Sequence, residues 1–340
     1  MQKKYYPLVD AGKFVCALLV VFIHTFEVHD GHPAATVFNA AVCSQAVPFF
    51  FAASGFFFSK KIFCSDNIKK DTINYIKPLL IVYITWAVLW LPDTFLMYRN
   101  MYPEKSLIYW LLLIVRRDIF AGYGVYWYIL VLIESAIVLS IFIRLTEREP
   151  LAKKLLCVIA AAGLIWDILY SYDVSIPVIK QLNSLVYTVF SWSNNIFMKV
   201  IPFTVVGYFF AKHYSKPYSL KILIPAYAVT LAASVLLVKL TGKDCNPLLI
   251  IEAVLLMAMI IRPVPVFLAD RKMLFSEMRN ISSAFYVTHP VIIYLLIDKI
   301  WGVEFDLGLR YLLALSGCTV IYILARMIKL KPVNKMLMIK

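Results

Sequence analysis

The sequence predicts an all-α, polytopic membrane protein with about ten transmembrane helices and both termini on the cytoplasmic side. Of its 340 residues, 62% are hydrophobic and only 16% are charged, and the mean hydropathy is +0.79. A soluble domain carries about 25% charged residues, so this chain is too apolar to present its surface to water. The apolar residues also fall in blocks of about 17–22 residues, the length that crosses a hydrocarbon core.

Ten such blocks follow one another within a single integral membrane domain, residues 1–340. They cover residues 9–28, 40–58, 78–97, 125–145, 153–171, 197–213, 220–239, 246–261, 282–300 and 308–328. The stretch 106–121 is too short and too charged for a span, and it is better explained as an interfacial or re-entrant segment. Asp10 and Lys13 interrupt the first block and no small-residue cleavage site follows it, which favours a transmembrane helix over a signal peptide.

The lysines and arginines set the orientation. With a cytoplasmic N-terminus, the inner segments hold 23 of the 34 basic residues and the outer segments hold 8. This bias of about three to one follows the positive-inside rule and places both termini inside. The net charge of +14 therefore reflects membrane topology rather than nucleic-acid binding. The six cysteines are scattered singly without metal-ligand spacing, so no metal is predicted.

The first span carries ionisable side chains, which are functional candidates because a charge at the bilayer centre costs a few kcal/mol. Lys13 and His24 lie eleven positions apart, about three helical turns, so they share a face at an axial separation of roughly 16 Å. Glu27 follows His24 by three residues, within side-chain reach. This stripe suits a long anionic donor that enters from the cytoplasm and reacts near the outer side. In the alternative interpretation, His24 and Glu27 are interfacial and Lys13 snorkels.

The second span contains the stretch "VPFFFAASGFFFSKK", in which Ser54 and Gly55 form a small pair among phenylalanines. Such a pair favours a close helix crossing or the approach of a ligand. Ser54 as a nucleophile is weakly supported, because the G-x-S-x-G pattern is missing. The basic run "KKDTINYIKP", which includes Lys70 and Lys77, follows. It indicates contact with lipid phosphates or a specific phosphate site.

Further candidates lie in later spans. His289 precedes Pro290, which loosens a helical hydrogen bond and could open the backbone toward a cavity. His289 could equally bond a neighbouring helix. Three carboxylates also fall within spans, Glu134, Asp167 and Glu252. They could line a cavity, pair with Lys199 or Arg310, or relay protons, and the sequence leaves these alternatives open.

Five segments, in order along nearly the whole chain, resemble motifs of the membrane-bound acyltransferase family 3. Lys13 and His24 resemble its first-helix motif, in which ten intervening positions separate a basic residue from a histidine. The other four segments are "VPFFFAASGF", "YGVYWYILVLI", "KVIPFTVVGYFFAKH" and "SSAFYVTHPVI". The chain departs from the family in having Lys13 where arginine is usual, and lysines alone in the basic run. Lysine cannot bind a phosphate through two parallel N–H groups, as arginine does.

The resemblance implies ten transmembrane helices and transfer of an acyl group, commonly acetyl from acetyl-CoA, to a hydroxyl of an extracytoplasmic carbohydrate. It implies that His24 is the catalytic base, that Lys13 helps to hold the donor, and that Trp127 lines the cavity. It also makes His289 a site candidate. A role for Glu27 in orienting His24 rests on helical spacing alone. The expected setting is the bacterial inner membrane, with acyl-CoA as donor substrate.

Two other classes of function remain open. The membrane halves of serine racemases from vancomycin resistance resemble the same family, and the chain could be the L-serine transport module of such a protein. Carboxylates within spans suit a transporter as well as an enzyme. A structural or interaction protein is the third alternative, and it predicts that Lys13, His24 and His289 tolerate mutation.

Overall fold

In a computed structural model, the chain is helical and the described residues contain no strand. The described residues are 5–26, 33–120, 122, 124–146, 150–172, 176–190, 199–214, 216–243, 246–262, 264, 268, 270–302 and 305–339.

The helices are numbered here in chain order. They are α1 (Pro7–Phe26), α2 (Pro33–Ala41), α3 (Ala46–Phe63), α4 (Ile68–Met101), α5 (Leu107–Leu113), α6 (Trp127–Thr146), α7 (Pro150–Ser171), α8 (Pro177–Phe190), α9 (Ile201–His213), α10 (Leu220–Thr241), α11 (Leu249–Ile260), α12 (Lys272–Pro290), α13 (Leu307–Ile328) and α14 (Lys331–Met336). Two π-helical stretches, Ile114–Phe120 and Val291–Trp301, and two 3₁₀ turns, Cys43–Gln45 and Gly124–Tyr126, lie between them.

Where the structure describes them, the ten predicted spans are largely helical. Seven helical segments of the described chain are long and apolar enough to cross a membrane: Pro7–Phe26, Pro33–Phe63, Ile68–Met101, Gly124–Leu145, Leu220–Thr241, Lys272–Trp301 and Leu307–Ile328. The apolar α11 is shorter, with 12 residues. An all-α, multi-pass membrane fold is therefore confirmed. The number of ten spans and the side on which the termini lie stay predictions.

The chain divides into two compact units, of which the first comprises residues 1–56 and 206–340. In this unit α1 packs along α12 and against α13, while α10 packs against α11 and α2. The core around α1, α12 and α13 holds small and branched side chains, including Ala17, Val21, Ile293, Ala314 and Cys318. Small side chains let the helix backbones approach closely, which is how helices associate when lipid surrounds them.

The second unit comprises residues 57–205. Its central contact is between α4 and α6, where the ring of Trp86 stacks on Tyr126 and the Trp90 indole donates a hydrogen bond to the Tyr126 hydroxyl. The predicted basic run forms the first turns of α4, since the Asn67 side chain caps this helix by accepting from the backbone N–H of Lys70. Within the stretch 106–121, α5 is followed directly by the π-helical segment Ile114–Phe120, and the interfacial or re-entrant placement of this stretch stays a prediction. The helix α8 was not predicted.

Candidate active site

The two histidines singled out in the sequence lie side by side in the first unit. The rings of His24 on α1 and His289 on α12 stack with their centroids 5.0 Å apart and their planes 25° apart. His289 is fully buried, and His24 is half-buried. The packing of α1 along α12 therefore brings together two imidazoles that are distant in sequence.

The protonation pattern of a neutral His289 follows from its neighbour. Its Nδ1 lies 2.9 Å from the carbonyl oxygen of Phe285. A carbonyl can only accept a hydrogen bond, so Nδ1 carries the proton and donates it. In the neutral ring Nε2 then holds a lone pair. This Nε2 is buried and has no hydrogen-bond partner among the described residues, so it can accept a hydrogen bond from a bound molecule.

Tyr294 holds the other imidazole. Its hydroxyl lies 3.0 Å from Nδ1 of His24, with the two rings in a T-shaped arrangement. Tyr294 was not among the predicted site residues, because five positions on an α-helix rotate a side chain about 140° away from His289. The segment that begins at Val291 is instead a π-helix, whose i→i+5 pattern turns residues five apart toward a similar direction. The signal available in the sequence was a tyrosine five positions after the histidine of a His-Pro pair.

The predicted orienting carboxylate, Glu27, lies outside the described residues. Its role stays a prediction, and the contact that the structure gives to His24 Nδ1 is the phenol of Tyr294.

The other end of α1 carries Lys13 and a network of charged groups. The Ser282 hydroxyl donates to the backbone carbonyl of Lys13 at 3.0 Å, which fixes this part of α1 against α12. Asp10 is buried and accepts from the hydroxyl of Tyr5 at 3.3 Å and from Nη1 of Arg279 at 3.4 Å. Burial, reinforced by Asp10, raises the pKa of Tyr5 to about 12. Tyr5 is therefore a stable donor at neutral pH.

Ser54 is half-buried on α3, beside a close crossing with α9. A Cβ on Gly207 would come within 2.1 Å of the carbonyl oxygen of Ala52 and 2.4 Å of the backbone nitrogen of Phe56. The two backbones are thus in direct contact, and only glycine fits at this position. The close helix crossing predicted from the Ser54-Gly55 pair is present, while a role for Ser54 in substrate binding stays a prediction.

Three predicted substrate-binding residues belong to the second unit. Lys70 and Lys77 are exposed on the first turns of α4, and Trp127 is half-buried at the start of α6. Their roles in substrate binding stay predictions.

One of the ion pairs that the sequence left open is present, since Lys199 pairs with Asp167 at 2.7 Å. Arg310 instead pairs at 2.5 Å with Asp298, which was not among the carboxylates considered from the sequence. Glu252 is fully buried and bonds the hydroxyl of Ser234 and the amide of Asn246. In the described parts of the chain, no group of three or more His, Cys, Asp or Glu side chains is placed to hold a metal ion.

These features define a multi-pass helical membrane protein with a stacked pair of histidines between its first helix and a helix near the C-terminus. Residues 6–327 match the family described as "Acyltransferase domain". The chain therefore belongs to this acyltransferase family, which confirms the resemblance found in the five sequence motifs.

A curated relative, an amino-acid racemase of Enterococcus faecalis, is 27% identical over 240 residues. The match covers 68% of this chain and 32% of the racemase, so the chain spans about a third of the length of that relative. No solved structure matches the chain.

Proposed function

We propose that this protein transfers an acyl group, with acetyl from acetyl-CoA as the expected case, from the cytoplasmic side of a bacterial inner membrane to a hydroxyl of an extracytoplasmic acceptor. A cell-surface carbohydrate is the expected acceptor. The observation that carries the proposal is the stacked pair of His24 and His289 in a chain of the acyltransferase family. Acyl transfer to a hydroxyl needs a base of near-neutral pKa, and imidazole is the side chain that meets this need.

In this mechanism Nδ1 of His24 donates its proton to the hydroxyl oxygen of Tyr294, which leaves Nε2 as the base. Nε2 takes the proton of the acceptor hydroxyl as its oxygen attacks the thioester carbonyl carbon. The tetrahedral intermediate collapses, the carbon–sulfur bond breaks, and the thiolate takes the proton from the His24 imidazolium. The products are an ester and a free CoA thiol.

His289 orients the acceptor in this proposal. Its buried Nε2 lone pair can accept a hydrogen bond from a second hydroxyl of the acceptor, next to the base. Two adjacent imidazolium charges would repel each other, so the pair gains one proton during the reaction and not two.

The test uses the full chain in liposomes, with labelled acetyl-CoA supplied to the cytoplasmic face and a pool of envelope glycans on the other side. The His24→Ala variant should lower thiol release and glycan labelling by about 10²–10⁴-fold while remaining folded. His213→Ala is the control, because His213 is an exposed histidine at the end of α9 and should tolerate replacement. Unchanged thiol release in the His24→Ala variant would contradict the proposal.

The similarity to an amino-acid racemase favours a second candidate, transport of an amino acid such as L-serine. Buried polar groups within helices, including Glu252 and the Lys199–Asp167 pair, suit a transport path as well. The same liposomes discriminate between the candidates when they are supplied with labelled L-serine. Serine uptake without consumption of the thioester would support the transporter and overturn acyl transfer.

A further inference from the structure

Among the buried hydrogen-bond donors of the first unit that have no acceptor in the described chain, two belong to Arg262 and Tyr214. Nη1 of Arg262, just after α11, and the hydroxyl of Tyr214, just after α9, are both buried, and neither has a hydrogen-bond partner among the described residues. The two groups are neighbours, because the positive charge of Arg262 acts on the pKa of Tyr214, opposing the rise that burial causes. The Tyr214 ring lies against Phe210 and Tyr218, which holds it in place.

Unpaired donors of this kind are unusual in a folded protein. More than about 90% of buried polar groups are hydrogen-bonded, and a buried N–H of a charged group without an acceptor is especially costly. A ligand that brings negatively charged oxygens would satisfy both donors at once. Phosphate suits this pair, because arginine binds it through a planar set of N–H groups and a phenol adds a further donor.

The position of Arg262 relative to α1 also fits a donor that enters from the cytoplasm. Arg262 is two residues beyond Ile260, whose Cδ1 lies 3.1 Å from the position of a Cβ on Gly12. From Gly12 to His24, α1 rises by about 18 Å at 1.5 Å per residue. The extended arm that joins the diphosphate of CoA to its thioester is long enough to cover such a rise. The positive-inside distribution predicts that Arg262 lies on the cytoplasmic side.

We propose that Arg262 and Tyr214 bind a phosphate group of the acyl-CoA donor at the cytoplasmic end of the first unit. The inference rests on the proposed acyl transfer, and it adds an arginine and a tyrosine to the donor site for which the sequence offered only lysines. In this arrangement the phosphate is held at the cytoplasmic end of the unit while the thioester reaches the histidines.

Binding is tested on the purified full chain in detergent by thermal unfolding, with CoA and inorganic pyrophosphate as probes. Both probes should raise the unfolding temperature of the wild type. The Arg262→Ala variant should lose this rise, and Tyr214→Phe should weaken it. Arg326→Ala is the matched control, since it removes one positive charge from a half-exposed ion pair with Glu277 and should respond as the wild type does.

Kinetics add a second readout when turnover is measurable. Arg262→Ala should raise the KM for acetyl-CoA by about tenfold or more with little change in kcat, as expected for the loss of a hydrogen bond to a charged group. With S-acetylpantetheine, a donor that carries no phosphate, the variant and the wild type should have the same KM. An equal effect on both donors would overturn the assignment.

The failures of the two proposals can be told apart. In one outcome, pyrophosphate raises the unfolding temperature of the wild type but not of Arg262→Ala, and acetyl-CoA is not turned over. This result would support the phosphate site and refute acyl transfer. Turnover of acetyl-CoA with an unchanged KM in Arg262→Ala would refute the phosphate site alone. Stabilisation by phosphatidylglycerol and not by CoA, lost in Arg262→Ala, would assign the site to a lipid headgroup and overturn the donor proposal.

Discussion

The two ends of α1 are fixed to α12 by different chemistry. Near its first turns, Asp10 forms an ion pair with Arg279 and accepts from Tyr5. Near its last turn, the described contacts of His24 join neutral groups, the imidazole of His289 and the phenol of Tyr294. The same pair of helices is therefore joined by a charged contact at one end and by titratable, uncharged groups at the other.

The difference indicates which end can carry out proton transfer. A carboxylate beside a guanidinium keeps its charge, and such a pair orients and anchors the helices. An imidazole near neutral pKa can gain and lose a proton in one catalytic cycle. We therefore expect substitutions at the histidine end to change activity, and substitutions at the charged end to change stability.

The largest expected effect comes from removing the imidazoles. His24→Ala and His289→Ala should each lower kcat strongly, by about 10²–10⁴-fold for His24. The double variant should be no worse than the more damaging single variant, because residues that act as a unit are not additive. The measurement is CoA thiol release in liposomes, after thermal unfolding has shown that each variant is folded. Multiplicative losses in the double variant would mean that the two histidines act independently.

A smaller effect is expected at Tyr294. Tyr294→Phe removes the oxygen that orients His24 and stabilises its imidazolium, so kcat should fall by about tenfold while the KM for the donor is unchanged. Tyr311→Phe is the matched control, because its hydroxyl also bonds α1, at the carbonyl of Leu18, without touching a histidine. Equal losses of kcat in the two variants would show that Tyr294 merely holds the helices together.

At the charged end, Asp10→Asn should destabilise the protein without abolishing activity. The substitution removes the charge that pairs with Arg279, and a partly exposed pair contributes about 1 kcal/mol or less. We expect a small drop in Tm and a change in kcat of no more than about twofold. A loss of kcat as large as that of Tyr294→Phe would remove the distinction between the two ends.

The smallest effect concerns the pH dependence of Tyr5. Its pKa is raised to about 12 in the folded chain, so folding favours the protonated phenol. The associated stability is fully present below the ordinary tyrosine pKa of about 10 and is lost as the pH rises through 12. The stability difference between the wild type and Tyr5→Phe, measured by chemical unfolding, should therefore shrink between pH 10 and 12. A difference that stays constant over this range would contradict the raised pKa of Tyr5.

How far the sequence predicted the site depends on whether the feature is local. Lys13 and His24 share a face because a helical repeat within one span dictates it. The sequence made both His24 and His289 candidates, but no spacing could place their rings 5.0 Å apart. Tyr294 was missed because α-helical geometry was assumed where the chain forms a π-helix. Asp298, the partner of Arg310, was not among the carboxylates that the sequence offered for this pair.

The sequence by itself determined the membrane class, the approximate helical segments and the polar stripe of the first helix. These properties follow from composition and from periodicity within single segments, where hydrophobic length and a fixed helical rotation leave little choice. Only the tertiary structure decided which polar groups meet: the imidazole pair with Tyr294, and the ion pairs of Asp10 and Lys199. It also left donors of Arg262 and Tyr214 without a hydrogen-bond partner among the described residues. Such meetings depend on how helices far apart in the chain pack, which no local pattern encodes.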